Sequence, residues 1–397
     1  MLVNISGRLA ALAPSATMAI DAKQRAMRRE GLPVISFGAG EPDFPTPAPI
    51  ARAGVAAIDA GYTKYTAVNG IPELREAIAG RLLADIGAHY SADQIVVTSG
   101  AKEALFNAFQ ALVDPGDEVI IPAPYWVSYE AQVQLAGGIP VIIATREEDG
   151  FKLQPADLRE RLTSRTRLLV LNTPSNPTGS VYSTEELRAL GDVLEATSVG
   201  VISDEIYQRI SYSGPSPSFV AAVPALAGRT VLINGASKSY SMTGWRIGFA
   251  AGPLPVIKAM AGIQSHSTSN ATSVAQYAAV EAFRGPQGAV DEMARAFKER
   301  RDVIVGLLNG IPGVRCALPE GAFYAFPNVQ GVLGRSLGGQ LINSSLDLAN
   351  YLLEKAYVAT VPGEAFGTPG YLRLSYACGM DAIHAGLTRM KETLTPS

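Results

Sequence analysis

The sequence predicts an α/β fold: a mostly parallel sheet flanked by helices on both faces, followed by a smaller α+β domain. Three observations predict it. From about residue 94 to 251, short β-branched runs alternate with amphipathic stretches, the pattern of parallel strands joined by crossover helices. Beyond about residue 290 the pattern changes to long helical periodicities around short strand candidates. The chain has 397 residues, 47% apolar and 17% charged, enough to bury a large core in two domains.

Taken in order, a strand at 95–98 precedes a helix at 101–113, and a strand at 118–121 precedes a helix at 126–135. A strand at 141–144 leads to a helix from about Pro155, and one at 168–171 leads to a helix at 184–196. Strands at 199–203 and 231–234 follow, each closing on polar residues. In the tail, helical patterns at 290–309 and 347–355 flank strands at 322–326 and 372–376. The Gly/Pro clusters at 38–49, 172–179 and 362–370 read as ordered loops rather than linkers.

The charge balance narrows the partners. The formal net charge of −3 comes from 33 basic and 36 acidic residues spread along the chain, so no footprint for nucleic acid or an anionic membrane exists. Small molecules are the expected partners. Cys316 and Cys378 are the only cysteines, which excludes a disulfide framework and a cysteine metal cluster and points to the reducing cytoplasm. No apolar run reaches the roughly 18 to 20 residues that span a bilayer. Residues 9–13 after Arg8 are as short as a signal h-region, but Asp21, Lys23, Arg25, Arg28 and Arg29 follow, so the start reads as an N-terminal arm.

Ligands of such sheets bind beyond the carboxyl ends of the strands, and four of these ends carry chemistry. Gly100, Ala101 and Lys102 join a strand to a helix, where backbone N–H groups and the helix dipole suit a phosphate. Asn176 sits in Asn172-Thr-Pro-Ser-Asn-Pro-Thr-Gly179, held by two prolines with its amide free to donate. Asp204 ends an apolar strand, a carboxylate costly to bury unless a cation faces it. Lys238 follows the strand at 231–234 in a Gly/Ser-rich segment with Arg246 eight residues later. A lysine desolvated beside a cation is a nucleophile at neutral pH. Each segment also has a plainer reading: a tight turn, an ordered loop, a helix N-cap and a solvated lysine.

Together with Gly38-Ala-Gly-Glu-Pro-Asp-Phe44, Thr63-Lys-Tyr65, Gly70-Ile-Pro-Glu-Leu-Arg75, Pro124-Tyr-Trp-Val-Ser-Tyr129, Asp204-Glu-Ile-Tyr207, Met242-Thr-Gly-Trp-Arg246 and Arg373-Leu-Ser-Tyr-Ala377, these segments resemble the class I aminotransferases. The chain is most similar to the bacterial aspartate aminotransferases of the one-gamma subgroup, from about Pro14 to the C-terminal helix. The resemblance implies a fold type I enzyme that depends on pyridoxal 5′-phosphate (PLP). It implies an arm at 1–15, a large domain at 49–290, and a small domain built from 16–48 and 291–397. It also implies a homodimer with shared active sites.

Carried over by position, the resemblance makes Lys238 the lysine that holds PLP as a Schiff base and Asp204 the partner of the pyridine N–H. Tyr207 and Asn176 would hydrogen-bond the ring oxygen O3′. Gly100, Ala101, Lys102, Ser237 and Arg246 would hold the phosphate, with Tyr65 reaching in from a neighbouring subunit. Arg373 would clamp the substrate α-carboxylate, with Trp126, Asn176 and the backbone at Gly40 completing that pocket. The reaction implied is ping-pong transfer of an amino group, aspartate and 2-oxoglutarate being the expected pair.

Four positions bear on where this chain departs from relatives. Gly235 stands where many carry a second phosphate-binding serine. Ala13 stands where those that accept prephenate often carry lysine, which argues against prephenate. Lys102 is the expected reader of a distal carboxylate, and the alternative is a surface helix lysine. His266 retunes the side-chain pocket or is structural, while His89 and His384 have no constellation. The rival activities on the same fold are aromatic or basic amino acid transamination, a β-lyase and a biosynthetic oxidase. A PLP-binding regulator would need an N-terminal DNA-binding module, for which the stretch before Val34 is too short. A nicotinamide enzyme fails because Glu-Pro-Asp follows Gly38-Ala-Gly40 where a helix would have to open.

Overall fold

The computed structural model describes residues 5–10 and 16–395, so the Ala13 position and most of the N-terminal arm lie outside the described residues. Aliphatic runs form β1 (Ile35–Ser36), β2 (Ile95–Thr98), β3 (Glu118–Ala123), β4 (Ile139–Ala144), β5 (Thr166–Asn172), β6 (Gly200–Asp204), β7 (Thr230–Gly235) and β8 (Gly248–Ala251). Strands β2 to β8 make one seven-stranded sheet in the order β2-β8-β7-β6-β5-β3-β4. Only β8 runs antiparallel to its neighbours, β2 and β7; the other pairings are parallel.

Both faces of this sheet are covered, which is why its strands read as continuous apolar runs. Alternate residues supply the two faces. Val96, Ile121, Ile202 and Ile233 pack with Leu105 and Phe109 of the helix Ala101–Leu112 and Met260 of Leu254–Ser265. On the other side, Val97, Leu232 and Phe249 meet the helices Pro72–Ile86 and Ser273–Arg284. Leu169 and Val201 meet Leu187 and Leu190 of Thr184–Glu195.

A second assembly joins distant parts of the sequence. β1 pairs in parallel with Val358–Ala359, while Leu372–Ser375 lies between Val361–Pro362 and Tyr324–Ala325, antiparallel to both. Ile20, Val34 and Phe37 share one apolar cluster with Phe297, Leu308, Leu352 and Leu387. Among the described residues no helix is long and apolar enough to cross a membrane.

The expected strands are all present: those at 118–121, 141–144, 168–171 and 231–234 extend by a residue or two at their ends, that at 199–203 shifts by one residue, and those at 322–326 and 372–376 shorten to Tyr324–Ala325 and Leu372–Ser375. The helix expected from residue 126 opens at Ser128, and the one expected at 347–355 is Ser345–Tyr351 continued by a π-helical turn, Leu352–Ala356. Within the seven-stranded sheet β8 is the strand that periodicity did not single out, and the two-residue strands β1, Val358–Ala359 and Val361–Pro362 escaped it as well. The β8 sequence, Gly-Phe-Ala-Ala, lacks the β-branched residues that mark a strand.

Candidate active site

The carboxyl ends of the parallel strands open into a cavity of about 930 Å³. Asp204 is the last residue of β6, and Lys238 lies three residues past β7. The antiparallel course of β8 brings Arg246 to the same edge, because Gly248 at its start pairs with both Thr98 and Gly235. Gly248 has no alternative: a Cβ there would stand 2.2 Å from the Ala101 amide nitrogen. The β8 start and the helix Ala101–Leu112 therefore touch backbone to backbone, which sets Arg246 beside that helix N-terminus.

At this terminus Gly100 (φ +87°) donates its own N–H to Thr98 O at 2.8 Å. Ala101 and Lys102 are then the first helical residues whose N–H groups have no intrahelical acceptor, the usual donors to an anion. Arg246 fills the space that the missing Gly100 side chain leaves; a Cβ would lie 2.2 Å from its Nη2. Arg246 is held by Thr243 O at 2.9 Å and Ser99 O at 3.1 Å. Ser237 lines the same cavity.

Lys238 donates to Gly40 O and lies 5.9 Å from the ring centres of Tyr207 and Phe323. Loss of solvation pulls its pKa down to about 8; Glu41 opposes the shift and Arg373 and Arg246 add to it. The amine therefore has a far larger neutral fraction at physiological pH than a solvated lysine, and that neutral form is the nucleophile. Asp204 is buried, accepting from Tyr129 Oη at 2.6 Å and from the Ile206 N–H at 3.2 Å. Desolvation dominates and pushes its carboxyl up to about 6 despite those bonds. Adjacent residues of an extended strand point to opposite sides, so Glu205 turns away into the core. There it accepts from Ser203, Ser218 and the Phe219 N–H.

Arg373 comes from the central strand of the small antiparallel sheet. Its Nη1 donates to Asn176 Oδ1 at 3.0 Å and its Nη2 to Gly38 O at 2.9 Å, while the buried Nε has no partner. Asn176 is fixed in turn by its N–H, which donates to Asn172 Oδ1 at 2.8 Å. With Oδ1 committed to Arg373, the Asn176 amide nitrogen remains a donor. The guanidinium lies over the Tyr324 ring at 4.5 Å and the Phe366 ring at 5.0 Å. Lys102 stacks on Trp126, Nζ to ring centre 4.8 Å. Partial desolvation, with Arg246 nearby, holds its pKa below the usual lysine value. Its neighbour Glu103 is engaged elsewhere, with the Ser99 N–H and Thr268 Oγ1.

The cavity thus gathers Gly40, Ala101, Lys102, Trp126 and Asn176 with Asp204, Tyr207, Ser237, Lys238, Arg246 and Arg373. Gly100 stands behind its wall. Tyr65 is 91% exposed and outside the cavity of its own chain. His266 caps the end of the helix Leu254–Ser265, exposed and away from the cavity, and His89 and His384 are exposed as well. Gly235 has no room for a serine, since a Cβ would lie 2.8 Å from Ile247 O and 2.9 Å from Gly248 Cα. The lining also includes polar side chains to which sequence reasoning assigned no role, among them Tyr129, Tyr324 and Glu41, whose Oε2 accepts from Thr243 Oγ1 at 2.7 Å. For the two tyrosines the available signal was a hydroxyl in an otherwise apolar segment, which needs a partner when buried.

The sequence matches the family described as aminotransferase class I and II over residues 33–385. It is 48% identical to the aspartate aminotransferase of Geobacillus stearothermophilus, over 98% of each chain. It is 47% identical to the aspartate/prephenate aminotransferase of Nitrosomonas europaea, over 99% of this chain and 100% of that one. The fold is similar to the crystal structure of the aspartate aminotransferase from Rhizobium meliloti, with a TM-score of 0.96 and 44% identity covering 99% of both chains. Similarity of this extent, over a fold type I sheet whose carboxyl edge carries the aminotransferase motifs, makes the chain an aminotransferase of the class I and II family.

Proposed function

We propose that this enzyme is a PLP-dependent transaminase that moves the amino group of L-aspartate to a 2-oxo acid, 2-oxoglutarate being the expected acceptor. The observation that carries the reading is the meeting of a lysine with pKa near 8, a buried carboxylate and an arginine with an unpaired buried Nε in one cavity. This donor set fits PLP. The N-terminus of Ala101–Leu112, Ser237 and Arg246 suit its phosphate, and Asp204 suits its ring nitrogen. When bound, PLP supplies an electron-accepting ring for the bond broken at the substrate Cα.

The rest belongs to the chain. Asp204 would keep a proton on the ring nitrogen, and that cation would offset the desolvation of its own carboxylate. Tyr207 and the Asn176 amide would donate to the ring oxygen, and Trp126, which lines the same cavity, would border both the cofactor and the substrate pocket. Arg373 fixes the α-carboxylate through its free N–H groups, with Gly40 lining that pocket, and so turns Cα–H toward Lys238. Lys238 Nζ removes the Cα proton. Lys102, in the cavity lining beside Trp126, would read the distal carboxylate. The large domain at 49–290 and the small domain at 16–48 and 291–397 supply the two walls.

The site is completed by a second copy. Val55, Ile58, Tyr62 and Tyr65, 47% to 91% exposed, form an apolar run on and beyond the helix Ala48–Asp59. That run supports a homodimer in which Tyr65 of the partner subunit reaches the phosphate. The free thiols of Cys316 and Cys378 support a cytoplasmic setting.

Single-turnover mixing of the PLP-loaded protein with L-aspartate tests the reading. One equivalent of oxaloacetate per site is expected, and no 2-oxo acid from either aspartate or glutamate would sink it. Prephenate and aromatic or basic amino acid partners belong in the same panel. Lys238→Ala should lose covalent PLP and nearly all activity, and a borohydride-reducible adduct in that variant would contradict the assignment.

A further inference from the structure

We infer that Tyr324 is a positioning residue whose hydroxyl donates to Tyr207 and thereby aims the Tyr207 proton at the ring oxygen of the cofactor. The inference rests on the proposed function, in which Tyr207 faces that oxygen. Tyr324 lies in Tyr324–Ala325, beside the strand that carries Arg373, and is 1% exposed. Its hydroxyl oxygen is 2.8 Å from that of Tyr207. Its ring is the platform for the Arg373 guanidinium at 4.5 Å, and a Cβ on Gly40 would meet its hydroxyl at 3.3 Å. Gly40 O in turn accepts from Lys238. One side chain thus touches the carboxylate clamp, the ring-oxygen donor and the loop that holds the lysine.

Proton counting sets the direction of the bond. A tyrosine hydroxyl has one hydrogen to donate and lone pairs to accept. The 2.8 Å bond accommodates either tyrosine as donor. Once Tyr207 spends its hydrogen on the ring oxygen, only Tyr324 can donate between them. A hydroxyl that accepts a hydrogen bond becomes a stronger donor itself, so the relay strengthens the Tyr207 contact. The two rings are held edge to face, centres 5.8 Å apart at 81°, with Phe323 packed against both. The charged or titratable groups around Tyr207 are Tyr324, Arg373, Asp204, Lys238 and Tyr129; Arg373 is the cation over Tyr324.

The test is an absorbance titration of the PLP-loaded protein, following the pH midpoint at which the Lys238–cofactor linkage loses its proton. A donor to the ring oxygen favours the unprotonated linkage and lowers that midpoint. Tyr324→Phe keeps the ring under Arg373 and removes only the hydroxyl. Its midpoint should rise by roughly 0.3 pH unit, a twofold change in proton affinity. Tyr207→Phe should raise the midpoint further, and the double variant should match Tyr207→Phe because the relay has nothing left to act on. If Tyr207→Phe raises the midpoint while Tyr324→Phe leaves it unchanged or lowers it, the relay is overturned and the proposed function stands. A fall would mean that Tyr207 donates to Tyr324. If Tyr207→Phe leaves the midpoint unmoved, Tyr207 does not face the ring oxygen, and the assignment on which the relay rests fails with it.

Discussion

Tyr129 donates its hydroxyl hydrogen to Asp204 across 2.6 Å, inside the wall of the cavity. The bond favours the ionised carboxylate against a desolvation that still leaves the group near pH 6. Tyr129→Phe should therefore raise the Asp204 pKa and leave more of it neutral at pH 7. PLP affinity at pH 7 is expected to fall about 3- to 10-fold, the scale of one hydrogen bond's net contribution. The deficit should shrink by pH 8.5, and a deficit equal at both pH values would refute the electrostatic account.

A carboxyl that titrates near 6 in the fold and near 3.9 when unfolded binds more protons when folded. Its contribution therefore favours folding below about pH 4 and is lost as the pH rises through about 6. Asp204→Asn removes that loss. The PLP-free variant should be more stable than PLP-free wild type at pH 7.5, by on the order of 1 to 3 kcal/mol. The gap should close toward pH 4, while catalysis is abolished. Denaturant titration at the two pH values checks it, and a destabilised variant at pH 7.5 would contradict the argument.

The Arg373 fork is committed on two sides, to Asn176 and to Gly38. Lysine offers a point charge on a flexible stem and cannot make these contacts while also gripping a carboxylate bidentately. Arg373→Lys should lower kcat/KM for the amino acid about 100-fold, with KM rising. Steady-state kinetics decides it, and a change below about threefold would remove Arg373 from the clamp.

Adding a serine at Gly235 should cost stability instead of adding a phosphate contact. The new Cβ would collide with backbone atoms of Ile247 and Gly248, where β7 and β8 pair. A loss of about 1 to 3 kcal/mol is expected from such overpacking, read as a lower midpoint of denaturation. Unchanged stability with tighter PLP binding would reverse the reading.

Local chemistry is what the sequence by itself determined. Alternating apolar runs specify strands buried on both faces, and each parallel strand delivers its terminal residue to one edge, so Asp204, Lys238 and Asn176 could be named from spacing and motif. Tertiary structure decided the contacts made between distant segments. β8, too poor in β-branched residues to announce itself, runs antiparallel and so carries Arg246 to the carboxyl edge. Arg373 meets Asn176 and Gly38 only because a late strand folds back beside the start of the chain. Tyr129 and Tyr324 acquire their partners in the same way. Hydrophobic periodicity records which face of an element is buried, but it does not record what a buried hydroxyl will find on the other side.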